Sequence, residues 1–432
     1  MSSKTNVVVA QSGGPSPVIN NSLRGVIEGC RDFPGMFGRV LGGWHGIEGI
    51  LKEELIDLSA QPQREIDLLG ITPGAGAIGT CRYKIKEEDS PDLLRALDVF
   101  AAHDVGAFFY IGGNDSMDTA AKMSRVAAAR GQELICVGLP KTIDNDLGDP
   151  EFKLIDHTPG YGSVARYWAC VTQNMNEENA GFSPAGPVLV MQAMGRSAGF
   201  IPAAARLADP ERRLPLHLYT VESGLTLPEL IDNVNDELRR SGRCIVVVSE
   251  GFDVGDLGAK RDAFGHIEYA ASETTVQQVV VNALHANGLA ARGWVHGQVP
   301  GCDQRTTSVF ASTVDLDEAY AIGRHAVAIA AEGQSGWMAT ILREPGETYR
   351  VRYDRVRLAE VANHARQLPP SWISASRIDV TDEYVRYARP LIGEAWVDIP
   401  LEGGLQRFAR LEPIWVDKRC ATYIPEGYRS EG

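Results

Sequence analysis

Short runs of apolar residues recur along the chain, and each one stops abruptly at glycine or at a polar cluster. Five of these runs are NVVVA, AFFYI, LICVGLP, GPVLVMQA and CIVVVS. Uninterrupted apolar runs of this length are typical of strands that are buried on both faces of a parallel sheet. Helical patterns lie between them, for example over 90–103 and 116–130, and Ser90 and Pro91 are a good start for the first of these. The alternation predicts an α/β fold with a doubly wound parallel sheet.

The residues that directly follow the predicted strands carry the main polar signals. In a doubly wound sheet, ligands bind outside the carboxyl ends of the strands, so we expect these residues at one edge. Gly13 and Gly14 lack side chains, which lets backbone N–H groups close on a phosphate, although the pair alone also fits a simple tight turn. Together, the segments that follow the strands predict an anion site with a metal ion. These segments are residues 11–14, 112–116, 141–146, 194–196 and 250–251.

The stretch PKTIDND is the richest of these strand ends, because it contains Lys141, Asp144 and Asp146. Two close carboxylates can divide the work: one takes a proton from an attacking hydroxyl, and the other holds Mg²⁺ directly or through water. Phosphoryl transfer needs those parts and cations around the moving group, and Arg196 and Arg305 are suited to grip a phosphate as planar forks. The alternative interpretation of the two acids is an Asx-turn.

A glycine-rich motif at residues 74–79 matches G-x-G-x-x-G but lacks the context of a dinucleotide fingerprint. Pro73 precedes it and the polar stretch CRYK follows, so no amphipathic helix is predicted to start there. We expect a flexible loop that delivers Arg82 to a phosphate, with a plain loop as the alternative. His45 and His157 lie in other glycine-rich stretches, and we expect both to be structural rather than to touch substrate.

Composition excludes several classes of protein. The 432 residues are 44% hydrophobic and carry a formal net charge of −14, which argues against a general nucleic-acid or anionic-membrane binder. The seven cysteines include no C-x-x-C pair, so we expect reduced thiols in the cytoplasm and no zinc site. We expect no signal peptide and no membrane span, because no apolar run is long enough.

Five stretches, in this order, resemble the phosphofructokinase family: QSGGP at residue 11, GGNDS at 112, PKTIDND at 140, MGR at 194 and SEG at 249. The resemblance spans about residues 6–345. The stretch DHTPGYGSVARYWA is similar to the bacterial pyrophosphate-using branch of that family. Residues 346–432 resemble the C-terminal extension of its longer members.

The resemblance implies two doubly wound, Rossmann-like domains with the active site in the cleft between them. Residues 1–155, completed by 312–345, would hold the phosphoryl donor, and residues 156–311 would hold most of the sugar. The extension, 346–432, would pack back on the body, and its stretch RLAEVANHARQLPPSW predicts a helix that is stopped by Pro369 and Pro370. Relatives are homo-oligomers, so we expect a dimer or a tetramer.

The resemblance also implies roles for single residues, with fructose 6-phosphate as the sugar and Mg²⁺ as the metal. Asp144 matches the base that deprotonates the C1 hydroxyl, and Asp146 matches a residue of the magnesium and phosphate site. Arg82 and Gly13 match residues that meet the donor phosphates. The implied sugar contacts are Thr142, Ile143, Met194, Gly195, Arg196, Glu250 and Arg305, the last of which resembles the arginine that holds the 6-phosphate.

Asp115 and Lys141 bear on the choice of donor. In the family, ATP users usually have Gly at both positions, whereas pyrophosphate users have Asp and Lys. The Asp115 carboxylate would fill and repel the place of a nucleotide's α-phosphate, and the Lys141 ammonium would pair with the denser pyrophosphate. We therefore expect pyrophosphate as the donor and a reaction that also runs backward from fructose 1,6-bisphosphate.

Two departures from the family pattern keep alternatives open. Asn114 stands where most relatives have a metal-binding Asp, and we expect it to bind Mg²⁺ through its carbonyl oxygen or through water, with Asp115 supplying the charge. Cys302 stands where relatives usually carry Tyr, beside the predicted 6-phosphate grip. The alternatives are ATP as donor, another acceptor such as sedoheptulose 7-phosphate, or a non-catalytic regulatory subunit; a nicotinamide oxidoreductase rests only on the glycine motif.

Overall fold

The computed structural model describes residues 4–429 except 259, 262–266, 269–271 and 363. Its strands, numbered β1 to β15, are Thr5–Gln11, Phe37–Gly43, Leu55–Asp57, Val105–Gly112, Ile135–Pro140, Val188–Ala193, Leu216–Tyr219, Cys244–Ser249, Lys260–Arg261, Ile267–Glu268, Val295–Gln298, Trp337–Arg343, Val351–Arg357, Leu401–Glu402 and Leu405–Gln406.

The α-helices of the described residues separate most of these strands. Numbered α1 to α12, they are Ile19–Arg31, Ile47–Leu51, Gln63–Leu68, Pro91–Ala102, Asn114–Ala129, Tyr161–Phe182, Phe200–Ala203, Leu227–Ser241, Val276–Asn287, Thr313–Ala331, Leu358–Val361 and Asp382–Ala388. The helix predicted over 90–103 is α4, which Ser90 caps by accepting a hydrogen bond from the Asp92 N–H. The helix predicted over 116–130 is α5, which begins two residues earlier.

The larger sheet has seven strands in the order β13-β12-β5-β4-β1-β2-β3, and only the two edge strands pair antiparallel. Both faces are covered. Val8 and Phe108 belong to the core on one side, whereas Val7, Val9 and Phe109 belong to the core on the other. Burial on both faces explains why these strands read as unbroken apolar runs, and it confirms the predicted α/β fold.

The second sheet has four parallel strands in the order β11-β6-β8-β7. After it, α10 returns the chain to the larger sheet, where β12 pairs with β5. The register keeps the strand ends level: Gly112 of β4 lies beside Pro140 of β5, and Ala193 of β6 lies beside Ser249 of β8. The segments that follow these residues therefore collect at one edge of each sheet.

The chain after β13 packs against both sheets. Tyr384, Tyr387 and Leu391 lie in the core of the second sheet, and the Asp57 N–H at the edge of the larger sheet donates to the carbonyl of Ile414 at 2.8 Å. The predicted helix across RLAEVANHARQLPPSW was wrong, because only its first residues form α11, Leu358–Val361. Within the described ranges, no helix is both long and apolar enough to cross a membrane.

Candidate active site

The loop after β5 holds two carboxylates on either side of a strained residue. Asn145 adopts the left-handed conformation, with φ of 56°, and it separates Asp144 from Asp146. The Asp144 N–H donates to the Thr142 hydroxyl at 3.1 Å, and the Thr142 side chain also bonds to the Asp146 carboxylate. The side chain of Ile143, in contrast, is buried in the core of the second sheet. The loop thus fixes both acids by short local contacts.

Burial and neighbouring charges raise the pKa values of two acids that face the same cleft. Burial and the neighbouring Asp146 raise the pKa of Asp144, against the opposing charges of Arg196 and Lys141. Burial and the charge of Asp144 raise the pKa of Glu250 to about 7. Because Asp144 follows a strand of the larger sheet and Glu250 follows one of the smaller sheet, the two sheets present their acids to a common space.

Lys141 lies at the opposite wall of this space, beside the first strand's glycine turn. Its Nζ donates to the Gly14 carbonyl at 2.6 Å, and a Cβ added at Gly13, where φ is +76°, would lie 3.3 Å from the same nitrogen. Burial and the charge of Arg305 lower the pKa of Lys141 to about 8, and Arg82 contributes in the same direction. Three cations are therefore focused on one small volume.

Arg305 lies against the glycine turn, and its charge also acts on Asp144 and Glu250. A Cβ at Gly14 would lie 2.6 Å from its Nη1, so its guanidinium lies against the glycine turn on the Lys141 side. Its Nη2 is 3.6 Å from the exposed Cys302 thiol, and its buried Nε finds no hydrogen-bond partner among the residues that the structure describes. The residue predicted to hold the sugar's 6-phosphate thus lies next to the predicted donor residues.

The start of α5 places Asp115 and Asn114 in different surroundings. Asp115 forms an ion pair with Lys84 at 2.6 Å, and both side chains are partly exposed. The Asn114 amide nitrogen, in the orientation that satisfies its neighbours, donates to the carbonyls of His364 at 2.8 Å and Val361 at 3.2 Å. Its nitrogen therefore faces the C-terminal extension, and its carbonyl oxygen is the atom left for the predicted metal contact.

The same region offers only part of a Mg²⁺ site. Over the residues that the structure describes, no three His, Cys, Asp or Glu side chains form a group that could hold a metal. Asp146 and the carbonyl oxygen of Asn114 nevertheless supply the kind of oxygen ligand that Mg²⁺ prefers, and Mg²⁺ ordinarily takes its remaining ligands from water and substrate phosphates. The residues therefore fit a magnesium ion that is shared with a phosphate ligand, not one held by protein alone.

The turn after β6 forms the remaining wall. Gly195 has φ of +104°, and the Ser249 hydroxyl donates to its carbonyl at 2.7 Å. The Met194 N–H donates to Gln304 Oε1 at 3.1 Å. A Cβ at Gly251 would lie 2.1 Å from the Arg196 carbonyl, so the absence of a side chain there lets the 194–196 turn approach the end of β8.

The two histidines differ in burial. His157 is buried between the carboxylates of Asp156 and Glu318, at 2.8 and 2.6 Å. Although burial opposes its charge, these two partners raise its pKa to about 9. His45 packs beside Gly79, in the turn that ends the glycine motif at residues 74–79, and no helix begins there.

Three residues of the site were not predicted from the sequence. Lys84 was noted only as part of a polar stretch, and Gln304 carried no signal. Arg366 was assigned to a helix of the extension, yet it is buried behind Asp144 and Asp146 and hydrogen-bonds to the loop between them. Only the fold reveals these partners, because each lies far along the chain from the residue that it contacts.

Comparison with known proteins gives matches along nearly the whole chain. The phosphofructokinase family matches residues 6–329. The pyrophosphate–fructose 6-phosphate 1-phosphotransferase of Methylococcus capsulatus is 37% identical over 427 residues, which are 96% of this chain and 98% of that protein.

Two solved structures are similar over the same extent. The pyrophosphate-dependent phosphofructokinase from Nitrosospira multiformis is 35% identical, with a TM-score of 0.87 over 98% of this chain and 100% of that one. The corresponding enzyme from Marinobacter aquaeolei is 35% identical, with a TM-score of 0.86 over 97% of this chain and 99% of that one.

Proposed function

The chain belongs to the phosphofructokinase family, and from that premise we propose that it is a pyrophosphate-dependent 6-phosphofructokinase. It transfers a phosphoryl group reversibly from pyrophosphate to the C1 hydroxyl of fructose 6-phosphate, giving fructose 1,6-bisphosphate and phosphate. Relatives that are 37% identical over nearly their full length carry the name of this activity.

The observation that carries the proposal is the position of Lys141. Its ammonium lies 2.6 Å from the Gly14 carbonyl, and the charges of Arg305 and Arg82 act on it. An ATP user, with glycine at position 141, would have no side chain in this place. Burial and the charges of Arg305 and Arg82 lower the pKa of Lys141, so the site favours a compact, highly charged anion. Pyrophosphate has that charge density, and the bound anion offsets the mutual repulsion of the cations.

Asp144 acts as the general base in this proposal. Its raised pKa makes it a better proton acceptor than an ordinary Asp while it stays ionised near neutral pH. It takes the proton of the C1 hydroxyl as that oxygen attacks the terminal phosphorus of pyrophosphate, and the departing phosphate carries away the electrons of the broken P–O bond. Glu250 and Arg196 orient the sugar, with Thr142, Ile143, Met194 and Gly195 around it.

We propose Mg²⁺ as the metal, held by Asp146 together with the Asn114 carbonyl oxygen or a water. When bound, it neutralises charge on the donor phosphates. Gly13 and Arg82 contact those phosphates from the protein side. Closure of the cleft excludes water, which would otherwise hydrolyse the donor.

Asp115 excludes nucleotides in this proposal. Its carboxylate lies at the start of α5 and is partly exposed, so a chain of three phosphates would have to pass a negative charge. Lys84 holds the carboxylate in place at 2.6 Å. The pair therefore acts as a fixed obstacle on the side where an adenosine would extend.

A donor comparison tests the proposal directly. Initial rates with fructose 6-phosphate are measured with pyrophosphate and with ATP, for the wild type and for Asp115→Gly combined with Lys141→Gly. For the wild type, we expect kcat/KM with pyrophosphate to exceed that with ATP by at least about a hundredfold. In the double variant the ratio should shift toward ATP, because the interaction of each removed charge with the donor is worth on the order of 1–3 kcal/mol.

Asp118 supplies a matched control for this comparison. It lies on the same helix and also pairs with a lysine, Lys122, at 2.7 Å, but it is not among the proposed donor contacts. Asp118→Gly should leave the donor preference unchanged. A wild type that prefers ATP, or that turns over neither donor, would overturn the proposal and would favour an ATP enzyme or a non-catalytic subunit respectively.

We further propose that residues 1–155 with 312–345 bind the donor, that residues 156–311 bind most of the sugar, and that the chain forms a homo-oligomer in the cytoplasm. The support is that Lys141 and Asp144 follow strands of the larger sheet whereas Arg196 and Glu250 follow strands of the smaller one. Light scattering of the purified protein distinguishes a dimer from a tetramer.

A further inference from the structure

Arg366, in the C-terminal extension, is among the most deeply buried side chains that the structure describes, with 2% of its surface exposed. Its Nε donates to the Asn145 carbonyl at 2.8 Å, and its Nη2 donates to the Asn145 side-chain oxygen at 2.8 Å. The guanidinium's other two hydrogen bonds go to the carbonyls of Ile155 and Asp156, at 2.7 and 2.9 Å. Four N–H donors of one planar fork are thus committed to neutral oxygens.

Asn145 is the residue that these bonds hold in place. It lies between Asp144 and Asp146 with φ of 56°, a conformation that costs a non-glycine residue on the order of 1 kcal/mol and persists only where its surroundings enforce it. The Asn145 amide nitrogen also donates to the hydroxyl of Tyr387, another residue of the extension, at 2.8 Å. In addition, the backbone N–H of Arg366 donates to the backbone carbonyl of Asp146 at 2.7 Å.

The next residues of the extension reach the opposite wall of the cleft. The Leu368 N–H donates to Glu222 Oε1 at 2.8 Å, and the same oxygen accepts from the Gly199 N–H at 2.8 Å, just after the 194–196 turn. The segment 366–368 therefore contacts the loop of the predicted base directly, and it contacts the segment that follows the sugar turn through Glu222.

We propose that Arg366 is a positioning residue for phosphoryl transfer: by clamping Asn145 it fixes the direction of the Asp144 and Asp146 carboxylates. The inference rests on the proposed function. Arg366 touches no substrate, because its fork is buried behind the loop. Its effect reaches the reaction only through the two acids.

This role predicts a particular kinetic pattern. A base that is displaced by about 1 Å loses on the order of a hundredfold in rate, because the attacking oxygen and the phosphorus are no longer aligned. The residues proposed to bind the substrates, such as Lys141 and Arg196, are not among the four acceptors of the fork. Loss of the clamp should therefore lower kcat while the KM values for both substrates stay within about threefold of the wild type.

The test compares Arg366→Lys and Arg366→Met with a control at a second buried arginine. Arg206 is also 2% exposed, and it binds the extension through Asp379 at 2.8 Å, but its other hydrogen bonds go to Asp209 and Leu216 and not to the loop at 141–147. Lys keeps the charge of Arg366 but cannot reproduce a planar fork with four bonds. The measurements are kcat in both reaction directions, both KM values, the melting temperature, and hydrogen exchange of the peptide that covers residues 141–147.

We expect kcat of Arg366→Lys to fall about a hundredfold in both directions, that of Arg366→Met to fall further, and exchange at 141–147 to rise in both. Arg206→Lys should lower the melting temperature without either effect. A kcat for Arg366→Lys within about threefold of the wild type, or equal losses in the Arg206 control, overturns the inference. If Arg366→Met does not fold, Arg366→Lys decides.

The outcome separates this inference from the proposed function. A wild type without activity would overturn the proposed function, and hydrogen exchange at 141–147 would still measure whether Arg366 clamps the loop. An active wild type whose kcat and exchange are insensitive to Arg366→Lys would overturn the inference alone.

Discussion

Lys141 should set the alkaline limit of donor binding. Only 4% of its surface is exposed, and burial together with the Arg305 charge lowers its pKa from 10.5 to about 8, against the partly compensating charges of Asp144 and Asp146. That fall corresponds to about 3 kcal/mol by which the empty site disfavours the ammonium form, at about 1.36 kcal/mol per pH unit. A bound pyrophosphate offsets this energy, because an opposite charge favours the ammonium.

The sign of the pH effect follows from the charge of lysine. Below about pH 8 the Lys141 side chain is a charged ammonium that pairs with the donor. Above that pH it becomes a neutral amine, and the ion pair with the donor is lost. We therefore expect kcat/KM for pyrophosphate, which reports the free enzyme, to fall about tenfold for each pH unit above about 8. In contrast, kcat should stay nearly level, because the bound donor keeps Lys141 protonated.

The assay is a set of initial rates between pH 6.5 and 10 at limiting and at saturating pyrophosphate. In Lys141→Arg the guanidinium stays charged throughout this range, so the alkaline fall should vanish even if the overall rate is lower. Lys84→Arg is the control and should keep the fall, since Lys84 pairs with Asp115 instead. An alkaline fall that persists unchanged in Lys141→Arg would refute the assignment.

Three further predictions concern single side chains. Asp144→Asn should lower kcat by about a thousandfold while fructose 6-phosphate still binds by calorimetry, because a general base typically contributes about 10²–10⁴. His157→Leu should lower the free energy of unfolding by about 3 kcal/mol at pH 6, where the imidazole is charged in both the folded and the unfolded state. The difference between wild type and variant should disappear as the pH rises through about 9, which is the raised pKa of His157 in the folded state. Asn114→Asp should lower the melting temperature, because a carboxylate would replace the amide donor opposite the carbonyls of Val361 and His364; an unchanged melting temperature would show that the amide does not make those bonds.

Local sequence was sufficient for the strands and for the edge at which the site forms. Buried parallel strands need continuous apolar runs, and the polar residues that end them must lie where the strands end, so the loops after β4, β5, β6 and β8 could be located in advance. The family's motifs then supplied the roles. In contrast, spacing along the chain carries no information on contacts such as that between Lys84 and Asp115, which only the fold brings together.

The extension shows why local propensity can fail. Its residues 358–368 are mostly good helix formers, yet the helix ends at Val361. The segment beyond it bridges to the loop after β5, pairing Ala365 with Leu147, and its Arg366 donates four hydrogen bonds to carbonyls. Helix propensities differ by less than about 1 kcal/mol per residue, so buried charge-assisted bonds of about 1.5–3 kcal/mol each outweigh them.

Arg305 connects the two halves of the site. It lies between the last strand of the smaller sheet and α10, yet its guanidinium lies against Gly14 of the larger sheet, where a Cβ would be only 2.6 Å away. In the proposed reaction, a phosphoryl group would pass from a donor beside Lys141 to a sugar beside Arg196 through the space next to this fork. Phosphoryl transfer depends mostly on positioning and on stabilising charge as it spreads over the moving group. The lack of a side chain at position 14 leaves room for this cation from the other sheet.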